Sequence, residues 1–368
     1  MNISKVIIFI LVFFMLLGVA DLLFFKKRLG YADEFEKGIN TTGPLIFSLL
    51  GLVCMAPLMG QVLEPVLAPV YQFFGGDPAM VAGTLLSCDG GGYPLAKNMT
   101  SDPQVIRLSG VYLGSMLGCT IICSIPVSLG VVKDKDKAVF SEGILAGVIA
   151  IPFAVLLCSV LDGMPIKFTF INLIPSLILA VILVIGLVFF TKVTIKIFAL
   201  FAKLIQVVNI IGAAIAIGQS LTGITIIQGM ASTSEQLGIL GMIGVTLAGA
   251  YPMVHFVTKT FAKPMKSLGK FLGINDVSVA GMITTLASSF PVYDMVQDMD
   301  VKGKKIVSAF AICACFALGD HLGYVAANDS EAVFPMVAGK IVGGILGIII
   351  VLVIDKVKRP EKVKSLEA

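Results

Sequence analysis

Tryptophan is absent from the 368 residues, and only 14% of them are charged. Soluble domains carry roughly 25% charged residues. So thin a supply, beside 57% hydrophobic content and a mean hydropathy of +0.99, excludes an ordinary soluble domain and indicates a polytopic integral membrane protein. Without Trp, any interfacial belt rests on Tyr and Phe. Arginine is reduced to Arg28, Arg107 and Arg359, all near loops or the tail, which argues against a substrate carboxylate held by Arg. The sequence has no P-loop, no metal-ligand array with usable spacing and no recognisable Ser-His-Asp order. The expectation is a protein that is not an enzyme and has no catalytic residues, metal site or cofactor. The net charge of +4 is small and sits in loops, so it reads as a topology signal and not as a nucleic-acid footprint.

The seven cysteines lie mostly within apolar runs, which favours reduced packing residues over a disulfide or zinc set. The N-terminal run Val6 to Leu23 has no small-residue cleavage site after it and reads as a retained first helix. Asp21, one turn before the basic Lys26-Lys27-Arg28, reads as an interfacial ion-pair partner.

Eleven hydrophobic segments can be drawn, near 4–25, 43–63, 78–97, 108–131, 141–161, 169–191, 194–218, 236–257, 276–296, 305–327 and 332–354. Each approaches the ~20 residues of a spanning helix. Residues 64–77, with Pro65, Pro69, Gly75 and Gly76, read as an interfacial connection. An internal repeat runs through the chain. Val81-Ala82-Gly83 is echoed by Val279-Ala280-Gly281, Tyr93-Pro94 by Phe290-Pro291, Leu117-Gly118 by Leu318-Gly319, and Ala138-Val139-Phe140 by Ala332-Val333-Phe334. Matches in one order at a near-constant offset indicate two structural repeats.

Charge then relates the halves. Cytoplasmic loops carry excess Lys and Arg. If the segments 78–97 and 276–296 are re-entrant hairpins, every strongly basic loop falls on one side, and five crossings separate equivalent points. The expected fold is therefore all-α, with two inverted repeats, about nine transmembrane helices and two hairpins. Eleven spanning helices are the alternative. Lys97 and Arg107 fall on the outer side in this scheme, against the rule. The repeats would cover 1–162 and 192–355, joined by a helix in 163–191 and followed by a charged cytoplasmic tail, 356–368.

The densest chemistry lies at Ser87-Cys88-Asp89-Gly90-Gly91-Gly92-Tyr93-Pro94. Glycines and proline interrupt the helical ladder, and freed backbone groups at membrane depth persist only beside protein or a wet cavity. A carboxylate at such a break is a site hypothesis, here a counter-ion for a cation, or a cap for the half-helix. Cys88 and Tyr93 flank it. In the second half, Ser288-Ser289-Phe290-Pro291 marks the matching break and offers hydroxyls, or serines bonded to their own helix. Asp320 and His321 sit mid-way along segment 305–327, with Asn328 two turns on. Lys340 lies inside the last segment, either snorkelling or acting as an internal counter-charge.

These stretches resemble the ethanolamine permease family of bacterial ethanolamine-utilization operons, the EutH proteins. The likeness is densest in Ala82–Lys97, Gly114–Gly130, Gly249–Met253, Ala280–Asp300 and Phe316–Gly344. The resemblance implies a multi-pass protein of the bacterial inner membrane that admits ethanolamine. Its partners would be ethanolamine and the lipid bilayer, with coupling ion and oligomeric state left open. Ethanolamine needs a carboxylate for its ammonium, supplied by Asp89 or Asp320. Its hydroxyl needs a donor–acceptor, and His321, Ser288, Ser289 and Asn328 are the candidates. The two hairpin tips are expected to hold it between them, with alternating access by motion of one half against the other. Rival readings are a transporter of another small amine or an amino acid, and a membrane enzyme or sensor built on Asp320-His321.

Overall fold

The computed structural model describes residues Ile3 to Lys364, so the last four residues of the expected tail lie outside the described residues. Every regular element described is a helix. This is the economical way to satisfy a backbone that has no water to bond with. Eight helical stretches are long and apolar enough to cross a membrane. They comprise α1 (Ile3–Phe24), α2 (Tyr31–Asn40) running into α3 (Thr42–Phe73), α6 (Pro103–Val131), α7 (Asp134–Leu161), α8 (Ile166–Phe189), α9 (Thr191–Thr222), α10 (Thr233–Leu272) and α15 (Val333–Lys364).

The remaining three apolar segments are each broken into two short helices. The first gives α4 (Met80–Leu85) and α5 (Tyr93–Met99), and the second α11 (Asp276–Ala287) and α12 (Phe290–Met295). The third, expected to span unbroken over 305–327, instead forms α13 (Val301–Ala314) and α14 (Asp320–Asn328). Earlier in the chain, α6 is also distorted. Residues Arg107–Gly118 and Thr120–Ser124 of α6 take the wider turn of i→i+5 bonding.

One boundary and one residue's role differ from expectation. Residues 64–73 are not a connection but the continuation of α3, through Pro57, Pro65 and Pro69. Each proline removes one N–H, yet the helix persists because the exposed faces of Val62, Val66 and Phe73 gain nothing from an extended backbone. Asp21 is no ion-pair partner either. Fully buried, it accepts backbone N–H groups from Leu29, Tyr31 and Ala32 at 2.9–3.1 Å and so anchors the start of α2.

The core is a packed trio, α7, α13 and α15, whose small residues let backbones approach: Gly147 meets Ala309, and Gly343 meets Ala154 and Cys313. Charged pins close it at both ends. Lys304 donates to Asp136 at 2.7 Å, and Lys305 reaches Glu142 and Asp355 at 2.8 Å. At the opposite end Arg107 bonds Asp329 through two nitrogens and also reaches Asp162 and Glu331. Burial pushes the Asp162 carboxyl above its usual range, against the opposing pull of the Tyr112 hydroxyl and Arg107.

Candidate functional site

The first break begins where Leu86 and Ser87 turn extended. Ser87 Oγ accepts the Gly90 N–H at 2.9 Å, and Gly91 takes a φ of 99°, a left-handed value that costs a residue with a Cβ but not glycine. Helix resumes at Tyr93 with Pro94 in its first turn, where no N–H is missed. The Leu86 carbonyl left free by the break is covered by Gly118 of α6, where any Cβ would overlap it.

The second break repeats that contact. Gly319 approaches the Ala287 carbonyl so closely that a Cβ there would overlap it as well. The third break lies directly against the second. Phe316 and Leu318 donate backbone N–H groups to the carbonyls of Thr285 and Leu286 at 3.0 and 2.8 Å. The carbonyls freed at 285–287 are therefore occupied by protein. Ser289 is fully buried and bonds Thr285 Oγ1 at 3.2 Å, within its own turn, whereas Ser288 is half-buried.

The segment 315–321 thus joins the two halves. Its Phe316 and Leu318 hold the second break, and the following His321 reaches the first. His321 Nε2 lies 3.6 Å from Asp89 Oδ1, and its ring packs on Phe316 with centroids 5.2 Å apart. The Cys88 thiol joins them, one donor atom of each residue lying within 4.8 Å of the others. Such a set could ligate a soft cation, although the spacing in sequence does not suggest it. Cys119 and Cys315 place their sulfurs 3.9 Å apart as free thiols.

Lys340 is 0% exposed, and its ammonium donates to the Ser115 carbonyl in the widened part of α6. It does not snorkel. Asp320, the first residue of α14, accepts a 3.4 Å contact from the Tyr251 hydroxyl of α10. Tyr93 and Tyr324 stack edge to face at 6.2 Å, and the Tyr93 hydroxyl donates to the Asn328 carbonyl at 3.5 Å. Asn328 uses its amide on Tyr324 O, at 2.9 Å.

Asp89 faces a cavity of about 290 Å³ lined by Ser48, Ser87, Cys123, Gln206 and Asn209 among apolar residues. Asn209 is committed to backbone, donating to Phe47 O and accepting from Leu52 N. Gln206, Tyr251 and Tyr324 were not singled out from sequence. For Gln206 a signal existed: Gln206 and Asn209, three residues apart in the otherwise apolar stretch 204–218, share one helix face.

A family model described as "Ethanolamine utilisation protein, EutH" matches residues 3–354. The chain belongs to the EutH family. It is 40% identical over 366 residues to the probable ethanolamine permease EutH of Listeria monocytogenes, covering 99% of this chain and 98% of that protein. The probable ethanolamine permease EutH of Salmonella typhimurium is 38% identical over 385 residues, with 95% and 94% covered. A Bacillus subtilis family relative named as the uncharacterized protein YxeR is 40% identical over 346 residues, with 94% and 93% covered. No solved structure matches the chain.

Proposed function

We propose that this protein is an ethanolamine permease of the bacterial inner membrane, and that Asp89 binds the substrate's ammonium group. The observation that carries the reading is the Asp89–His321 pair, set at a helix break where Asp89 faces a cavity with a few polar groups among apolar residues. An unpaired carboxylate at membrane depth is costly unless it has a cation to meet. Ethanolamine brings one, two carbons from a hydroxyl. The His321 imidazole or the Ser87 and Gln206 side chains give that hydroxyl its partners.

Lys340, buried on α15, turns its ammonium to the Ser115 carbonyl and so serves as an internal basic group of this region. Asp320 is the second carboxylate, held back by Tyr251. The substrate therefore sits against the first tip and α14, with the second tip acting through the 315–319 segment that it supports.

The transport mechanism is alternating access between two inverted halves, 1–162 and 192–355, with 163–191 as the link. Equivalent Gly118–Leu86 and Gly319–Ala287 approaches support the repeat. With basic loops inside, the C-terminus is cytoplasmic, and so are the ends of α3 and α9 that carry Thr42 and Lys192. The Asp89 cavity is lined by the first third of α3, the cytoplasmic side in this arrangement, which fits an inward-facing form. Arg107 stays outside because three carboxylates surround it.

Uptake of labelled ethanolamine into proteoliposomes tests the assignment. Saturable uptake faster than in empty liposomes is expected. Uptake no faster than in empty liposomes, with and without proton or sodium gradients, would remove the substrate assignment.

A further inference from the structure

A second cavity, of about 250 Å³, lies on the other side of the first break. Its lining includes Tyr93, Lys97, Glu235, Tyr324 and Asn328. These residues are stacked in layers over the Asp89–His321 pair. Tyr324 follows His321 by three positions on α14, and Tyr93 stands edge to face against Tyr324, so the tyrosine pair forms the next layer out. Lys97 and Asn328 come four positions further and form the layer above. Tyr324 is 1% exposed, and the Tyr93 hydroxyl is tied to the Asn328 carbonyl, so the aromatic layer separates the cavity from the carboxylate.

The position of Lys97 is informative. Its ammonium stands 5.8 Å from the centroid of the Tyr93 ring, over the face. An aromatic face attracts a cation through its quadrupole within about 6 Å of the centroid. One face has room for one ammonium, and Glu235 supplies a carboxylate to the same cavity. The same device recurs at the second carboxylate. Lys37 places its ammonium 5.1 Å over the ring of Tyr251, whose hydroxyl faces Asp320.

We propose that the cavity beside Tyr93 is a second, outer binding site for the ammonium of a small amine, and that Lys97 is a resident cation displaced from the Tyr93 ring when the amine arrives. The inference rests on the permease reading for its substrate class. It also accounts for Lys97 on the side where basic residues are scarce: this lysine occupies a substrate's seat. Substrate entering from that side meets Glu235 and the tyrosine face first. Passage to Asp89 then requires the Tyr93–Tyr324 pair to part.

The experiment is equilibrium binding of labelled ethanolamine to the full chain in nanodiscs, with uptake measured on the same preparations. Lys97→Met keeps the stem and removes the competing charge. It is expected to lower the half-saturating concentration about three- to tenfold. In an Asp89→Asn background, which disables the inner site, binding and its sensitivity to Lys97→Met are expected to persist. Tyr93→Leu should abolish that sensitivity, while Tyr93→Phe, which keeps the ring and serves as the folding control, should retain it. If wild type transports ethanolamine but Lys97→Met leaves half-saturation unchanged or raises it, the outer site is overturned and the permease reading stands. If wild type neither binds nor carries ethanolamine, the permease reading fails first, and the substrate of this cavity with it.

Discussion

His321 and Asp89 come from opposite halves of the chain and meet at 3.6 Å, each at or beside a broken helix. His321 is 1% exposed and rests on Phe316, a residue held in left-handed backbone with a φ of 56°. Strain in a bulky residue persists only where the surroundings over-determine it. Here the surroundings are the two backbone bonds that tie 316 and 318 to the second tip. The imidazole is therefore aimed at Asp89 by the other half of the protein. His321→Ala is expected to raise the half-saturating ethanolamine concentration in uptake by about tenfold, the worth of roughly one hydrogen bond to a charged group. Kinetics of uptake in proteoliposomes check it.

The Tyr251 hydroxyl lies 3.4 Å from Asp320 and is long for a hydrogen bond, so its loss should be mild. Tyr251→Phe keeps the ring on which Lys37 sits and is expected to change uptake by no more than about fivefold. Tyr251→Leu, which also removes the ring face, should cost more. Equal effects of the two substitutions would contradict the separation of hydroxyl and ring.

Gly118 and Gly319 make one contact twice, each covering the last carbonyl of a half-helix. Alanine at either position forces the two backbones apart, costing about 1–3 kcal/mol as over-packing in a core does. Both Gly118→Ala and Gly319→Ala should lower the thermal midpoint in detergent, by similar amounts. Gly238→Ala is the control: nothing lies within 4 Å of its added Cβ, and stability should hold or rise slightly.

How much of this was legible in the sequence follows from what each feature depends on. Glycine and proline runs announce breaks locally, so the interruptions near Gly90–Gly92 and Pro291 could be read directly. The third break could not. Phe316 is a poor residue for a left-handed turn, and only the tertiary bonds that Phe316 and Leu318 donate to the Thr285 and Leu286 carbonyls make that conformation worth adopting. Proline misled in the other direction at Pro65 and Pro69, where apolar surroundings keep the helix intact. Asp89, Asp320 and His321 stood out as polar residues in apolar segments. Tyr251, which reaches Asp320 from another helix, did not, because contact across helices leaves no local spacing. Asp21 reads as an ion-pair partner beside the basic run and turns out to serve backbone amides.

Arg107 holds three carboxylates, Asp162, Asp329 and Glu331, that otherwise repel one another. Removing one partner of a partly buried cluster leaves charge uncompensated. Arg107→Met is expected to lower stability by about 2 kcal/mol or more, and Arg107→Lys to recover only part, since a lysine lacks the two-nitrogen grip on Asp329. Adding Asp329→Asn to Arg107→Met should restore some of the loss. Thermal unfolding of the three variants decides whether the cluster acts as described.

The central claim is that Asp89 receives the substrate's ammonium. Its most direct test compares initial rates of labelled ethanolamine uptake in proteoliposomes bearing wild type or Asp89→Asn, matched for folded protein by size-exclusion profile. The account predicts a loss of at least about thirtyfold in the variant at sub-saturating substrate, as expected when one partner of a desolvated charge pair is truncated. Folded Asp89→Asn protein carrying ethanolamine at the wild-type rate would contradict it.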